Sequence, residues 1–110
     1  MIKHFFDYHE SIEEDLGGGI KRRILAHSAN LMAVELSFEK GSVGALHSHH
    51  HEQMTYILSG AFEFNVGGEK KILRAGDMTY KEPHVEHGAV CVEAGKLIDI
   101  FAPQREDFLK

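Results

Sequence analysis

The run GSVGALHSHHHEQMTYILSG, residues 41–60, decides how the rest of the chain is read. Gly41 and Gly44 mark a loop, a strand is expected from about His47 to Ser59, and Gly60 turns it. Side chains two apart on a strand leave the same face, so His47 and His49 point together and Gln53 shares their parity. With His87 further along, three imidazole nitrogens and one amide oxygen can converge on a divalent metal. An ion held by so few protein groups keeps open positions, where ligands bind or chemistry occurs.

Outward from this run, short alternating segments follow one another. Residues 1–19 read as a lead-in, with a helical turn expected over Ser11–Leu16 and ended by Gly17-Gly18-Gly19. Ile20–His27 reads as a strand carrying Lys21, Arg22 and Arg23. From Leu31 to Glu39 the alternation is clean: Met32, Val34, Leu36 and Phe38 on one face, Ala33, Glu35, Ser37 and Glu39 on the other. Phe62, Phe64 and Val66 alternate with Ala61, Glu63 and Asn65, and Gly67-Gly68 makes a hairpin into Lys70–Leu73. Further strands are expected at Met78–Lys81, Gly88–Val92 and Leu97–Ala102, ahead of a polar tail from Gln104 with Phe108 and Leu109 as anchors. Many short strands separated by turn signals argue for an all-β antiparallel sandwich or barrel.

Composition narrows the function. The 110 residues suit one small domain, and 11 Gly against 2 Pro agree with a turn-rich β structure. A formal charge of −5 argues against nucleic acid as the main partner, and an anionic substrate would need a local cation. Cys91, the lone cysteine, lies in the apolar run Val90-Cys91-Val92 and reads as a small buried hydrophobe; its solitude fits a reducing cytoplasm. The opening Met1–Asp7 carries no signal-peptide pattern, and no stretch is apolar enough to span a membrane.

The spacing of the run is more specific than its alternation. Gly41, five residues, His47, one, His49, three, Gln53, six and Gly60 resemble the first cupin motif. Gly76, with His87 after Glu82-Pro83-His84-Val85-Glu86, resembles the second. The resemblance implies a cupin-type double-stranded β-helix, a jelly-roll barrel spanning 1–110 as a single domain, with a metal inside its mouth. Three positions depart from the pattern: Gln53 replaces the usual glutamate, Glu82 stands where proline is common, and Cys91 replaces an asparagine. Three segments, Gly17–Leu25, His47–Gln53 and Asp99–Phe108, resemble the small cupins of pectin and alginate degradation, which linearise unsaturated uronates. That resemblance implies one divalent transition metal (Ni, Zn, Fe, Co or Mn), a small uronate substrate and a homodimer.

It also gives roles to residues whose own signals are ambiguous. Asp99 shares strand parity with Leu97 and Phe101, so it should face the barrel interior, as a structural hydrogen-bonding group or as an acid–base catalyst. Arg105 is either a solvated tail residue or a planar fork for a substrate carboxylate; the resemblance favours the fork. Phe101 is most simply core, and at the pocket it would shape the wall and exclude water. His50 and His51 depart from the ligand spacing and read as a solvated loop. Of Arg22 and Arg23 only one can point inward, and Tyr56 reads as core or interface. Three neutral His and a neutral Gln would leave an ion its full double charge, suiting a carboxylate or enolate. Alternatives are a non-catalytic sugar-acid sensor, a metal-dependent dioxygenase or a sugar isomerase, because this fold hosts many functions.

Overall fold

A computed structural model describes residues 1–110. Its strands are β1 Glu14–Gly17, β2 Ile20–Ser28, β3 Leu31–Phe38, β4 Val43–His47, β5 Glu52–Ile57, β6 Ala61–Val66, β7 Glu69–Arg74, β8 Met78–Lys81, β9 His87–Glu93 and β10 Gly95–Ala102. They form two antiparallel sheets, ordered β1-β2-β3-β10-β5-β8 and β4-β9-β6-β7, the jelly-roll arrangement. No helix is long and apolar enough to cross a membrane.

The inward faces follow the alternation in β3. Met32, Val34 and Phe38 are buried, Leu36 is half-buried, and Glu35 on the other face is covered by Tyr8, whose hydroxyl donates to Glu35 Oε1 at 2.7 Å. Across the barrel, Phe62 meets Phe38 edge-on at 5.1 Å, within a cluster that includes Ile57, Phe64, Leu73, Cys91 and Leu97. Burying a side chain such as Phe62 stabilises the fold by roughly 1.5–3 kcal/mol. A second cluster, Met32, Val34 and Phe101, closes against Phe108. Polar residues take the interior positions along the rest of β5, β8 and β10: Gln53, Thr55, Lys81 and Asp99 are all buried.

Two glycines make the crossings possible. Gly60 has φ +77°, and a Cβ there would sit 2.5 Å from the carbonyl oxygens of Glu93 and Ala94. Gly88 lies where β9 passes β4, and a Cβ would come within 2.7 Å of Gly44 O.

Two expectations are corrected. No helical turn spans Ser11–Leu16; a short 3-10 turn covers Tyr8–Glu10, and Glu14–Gly17 pairs with β2 as a hairpin. Three successive glycines at positive φ, Gly17 to Gly19, close that hairpin, and Glu14 lies opposite Arg22. Nor does one strand run from His47 to Ser59. β4 belongs to the four-stranded sheet and β5 to the six-stranded one, so residues 48–51 are spent crossing between them.

Candidate metal centre

His47 ends β4 and His87 opens β9, and the two are cross-strand partners. His49 lies in the crossing loop, and Gln53 enters from β5 on the opposite sheet. The convergence therefore arises from a sheet-to-sheet crossing, not from shared parity on one strand. One ring nitrogen from each of the three histidines lies within 4.8 Å of the others. Gln53 Oε1 is 2.9 Å from His49 Nε2 and 3.1 Å from His87 Nε2.

The second nitrogen of each ring is anchored. His47 Nδ1 is 2.9 Å from Ala45 O, His49 Nδ1 3.0 Å from His51 O, and His87 Nδ1 2.9 Å from Val85 O. A carbonyl only accepts, so each Nδ1 carries the proton and donates it. Burial lowers the His87 pKa to about 4, and burial with the nearby Arg105 charge lowers that of His49, so both rings are neutral near pH 7. The Nε2 atoms then carry lone pairs turned toward the Gln53 amide oxygen. Lone pairs gathered this closely repel unless a cation lies among them. The spacings of 2.9 and 3.1 Å are near those of adjacent donors on one ion with bonds of about 2.0–2.1 Å. The donor set fits a divalent transition metal, and the backbone carbonyls behind it fix ring tautomer and orientation.

Around these donors stand the remaining candidates. Asp99 is 7% exposed and faces inward between Leu97 and Phe101. Its Oδ1 accepts from the Thr55 hydroxyl at 2.5 Å. Phe101 packs its ring edge-on to His49 at 5.8 Å. Arg105 is no solvated tail residue: it lies 5.2 Å above the Phe101 ring and 4.3 Å from that of Phe108. Its Nε and Nη2 donate to the Asp107 carboxylate at 3.0 and 2.8 Å. Those bonds, foremost, hold the Asp107 pKa below its usual range. Leu109 is 42% exposed, so Phe108 alone of the expected tail anchors packs on the barrel.

Several residues of the site carried no sequence signal strong enough to find them. His51 is buried against Phe101 and His50, which corrects its reading as a solvated loop residue; His50 itself is exposed. The Nδ1 of His51 has no hydrogen-bond partner. Arg22 is the inward member of its pair, its guanidinium 4.1 Å from the Phe108 ring, whereas Arg23 lies under Tyr8 and donates to Ser11 O. Lys81 is 1% exposed, with its Nζ 2.5 Å from Thr55 Oγ1 and 4.9 Å from the Phe64 ring. Burial lowers its pKa to about 8, opposed by the charge of Asp99.

That shift has a measurable consequence. Between pH 8 and 10.5 the unfolded chain holds the Lys81 proton more firmly than the folded one, so stability should rise with pH across this window. A shift of this size corresponds to roughly 3 kcal/mol. Chemical denaturation of the native protein and Lys81→Met at a series of alkaline pH values should show the rise in the first and not in the second.

Known proteins resemble this chain in sequence and fold. A cupin-domain family profile matches residues 34–101. The pectin degradation protein KdgF of Dickeya dadantii (strain 3937) is 44% identical over 99% of this chain and 100% of its own. The structure of KdgF from Halomonas sp. superimposes with a TM-score of 0.92 at 42% identity, covering 97% of this chain and 99% of the other. An RmlC-like cupin from Shewanella frigidimarina NCIMB 400 superimposes with a TM-score of 0.93 at 48% identity, covering 97% and 96%.

Proposed function

The chain belongs to the cupin family and, within it, to the KdgF pectin-degradation proteins, and on that premise we propose that it converts cyclic 4,5-unsaturated uronates to linear 5-keto-4-deoxyuronates. The observation that carries this reading is full-length similarity to a pectin degradation protein in a chain whose site gathers three imidazoles, an amide, a buried carboxylate and a guanidinium. The substrates are monomers released from pectin or alginate, and the reaction is an isomerisation.

In the ring form, the oxygen between C1 and C5 belongs both to a hemiacetal and to an enol ether. Loss of the C1 hydroxyl proton breaks the C1–O bond and leaves an aldehyde at C1. The electron pair stays on the C5 oxygen as an enolate, and protonation at C4 gives the ketone. Atoms balance without oxidant or water. His47, His49, Gln53 and His87 would hold one divalent metal, of the kind nitrogen-rich sets accept (Ni, Zn, Fe, Co or Mn). An ion bound there would supply Lewis acidity to the oxygen on which charge grows, undiminished by any anionic ligand. Asp99 handles the proton. Arg105 binds the substrate carboxylate with the guanidinium N–H groups that Asp107 leaves free, and Phe101 shapes the wall between Arg105 and the histidines.

If Arg105 holds the carboxylate, Arg105→Lys keeps the charge and loses the bidentate geometry. KM should rise about ten-fold or more, with metal content unchanged. Steady-state kinetics with metal analysis of the same samples checks this.

We also propose that the whole of 1–110 acts as one cupin unit in the cytoplasm, and that it pairs as a homodimer. Met54, Tyr56, Met78 and Tyr80 stand 45%, 38%, 49% and 49% exposed on the outer face of β5 and β8, at the edge of the six-stranded sheet. An edge flanked by such apolar residues favours pairing. Sedimentation velocity would show a species of twice the chain mass.

The reaction itself is tested with freshly prepared unsaturated monouronate. Purified protein should abolish the ultraviolet absorbance of the conjugated double bond, with a linear keto acid appearing in the proton spectrum. Binding without absorbance loss would make the chain a sugar-acid receptor, and oxygen uptake would make it an oxygenase.

A further inference from the structure

Below the metal donors lies a buried polar contact at which β5, β8 and β10 meet. Thr55 on β5 is fully buried, and its Oγ1 touches three groups: Lys81 Nζ at 2.5 Å, Asp99 Oδ1 at 2.5 Å and Gln53 Nε2 at 3.5 Å. The backbone register places them there, with Thr55 opposite Asp99 on one side, and Gln53 opposite Lys81 on the other.

A hydroxyl has one proton and two lone pairs, an ammonium only donates, and a carboxylate only accepts. Lys81 therefore takes one Thr55 lone pair, and the single Thr55 proton must go to Asp99. With that proton spent, Gln53 can face Thr55 only with its amide NH2. Its oxygen is then turned the other way, toward His49 Nε2 and His87 Nε2.

Building on the uronate reading above, we propose that Thr55, held by Lys81, is a positioning residue that sets two things at once: the amide orientation that makes Gln53 a metal ligand, and the role of Asp99 as a proton acceptor. Oδ1 of Asp99 is occupied by the Thr55 proton, so the carboxylate receives the C1 hydroxyl proton on its remaining lone pairs. Lys81 is a buried cation close enough to act on Asp99, joined to it through one hydroxyl. Its own burial is compensated by that contact and by the Phe64 ring at 4.9 Å.

The test compares Thr55→Val, which removes the hydroxyl at nearly constant volume, with Thr55→Ser, which keeps it, and with Lys81→Met. Metal-stripped proteins are titrated with Ni2+ alone, and kcat and KM are measured on unsaturated uronate after loading. Thr55→Val should bind Ni2+ about ten-fold or more weakly, the scale on which groups behind metal ligands act. Its kcat should fall with KM little changed, and Thr55→Ser should restore both. Lys81→Met should keep its Ni2+ affinity and lose kcat. Native Ni2+ affinity in Thr55→Val would overturn the proposal, as would equal damage in Thr55→Ser and Thr55→Val, which would mark packing as the cause. Should Thr55→Val not fold, native kcat in Lys81→Met would overturn it. If the native protein does not linearise uronates at all, the proposed function falls, while the Ni2+ affinities still decide whether Thr55 orients Gln53.

Discussion

Replacing His49 or His87 by alanine is expected to lower bound metal well below one ion per chain and to cut uronate turnover by about a thousand-fold or more. A Lewis acid at the developing oxyanion is worth several kcal/mol, and each 1.36 kcal/mol is a factor of ten in rate. Every nitrogen donor here is held by a hydrogen bond from its own second nitrogen to a nearby carbonyl, so the loss of one ring leaves the others fixed and the donor set one short. His50 is exposed, and the Nδ1 of His51 is buried without a partner. The fold should survive, because the two apolar clusters contain none of these side chains. Metal analysis of the purified variants beside initial rates checks the prediction; full activity in a protein that no longer carries metal would contradict it.

Asp99→Asn is expected to act in the opposite pattern, with metal content preserved and kcat reduced by about 10²–10⁴-fold, the usual range for a lost acid–base group. The amide is close to the carboxylate in size, and its oxygen can still accept from Thr55, so folding and the neighbouring Gln53 contact should persist. What disappears is the capacity to take a proton. The carboxylate binding proposed for Arg105 would be untouched, so KM should move little. Native turnover by this variant would remove Asp99 from the mechanism and leave its burial as a purely structural matter.

How much of this was readable from the sequence depends on which residues are asked about. In β3 and β10 the period-two alternation agrees with the inward faces, because each of these strands lies between others in the sheet and has one face on the core. Asp99 was placed inside by that logic alone. The histidine spacing predicted convergence for a reason the structure replaces. A strand was expected to carry His47 and His49 side by side, whereas the chain changes sheets between them, and spacing alone does not distinguish a strand from a crossing. β8 shows where alternation misleads. In Met78-Thr79-Tyr80-Lys81 the apolar pair looks like the core face, yet Met78 and Tyr80 are exposed and Lys81 is buried. The barrel interior near the metal donors is polar, so hydrophobicity points the wrong way there. Only the pairing of Lys81 with Gln53 gives its direction, and that pairing is a property of the folded sheet. Arg22, Thr55 and His51 escaped for the same reason: their roles come from partners remote in sequence.

The account rests on an ion held among uncharged donors and acting where a sugar acid opens. Stripped protein should be titrated with a divalent metal while turnover of unsaturated uronate is followed. Activity should be near zero at the start, rise in proportion to metal bound, and level off at one ion per chain. Full turnover before any metal is added, or a saturated protein that remains inert, would contradict it.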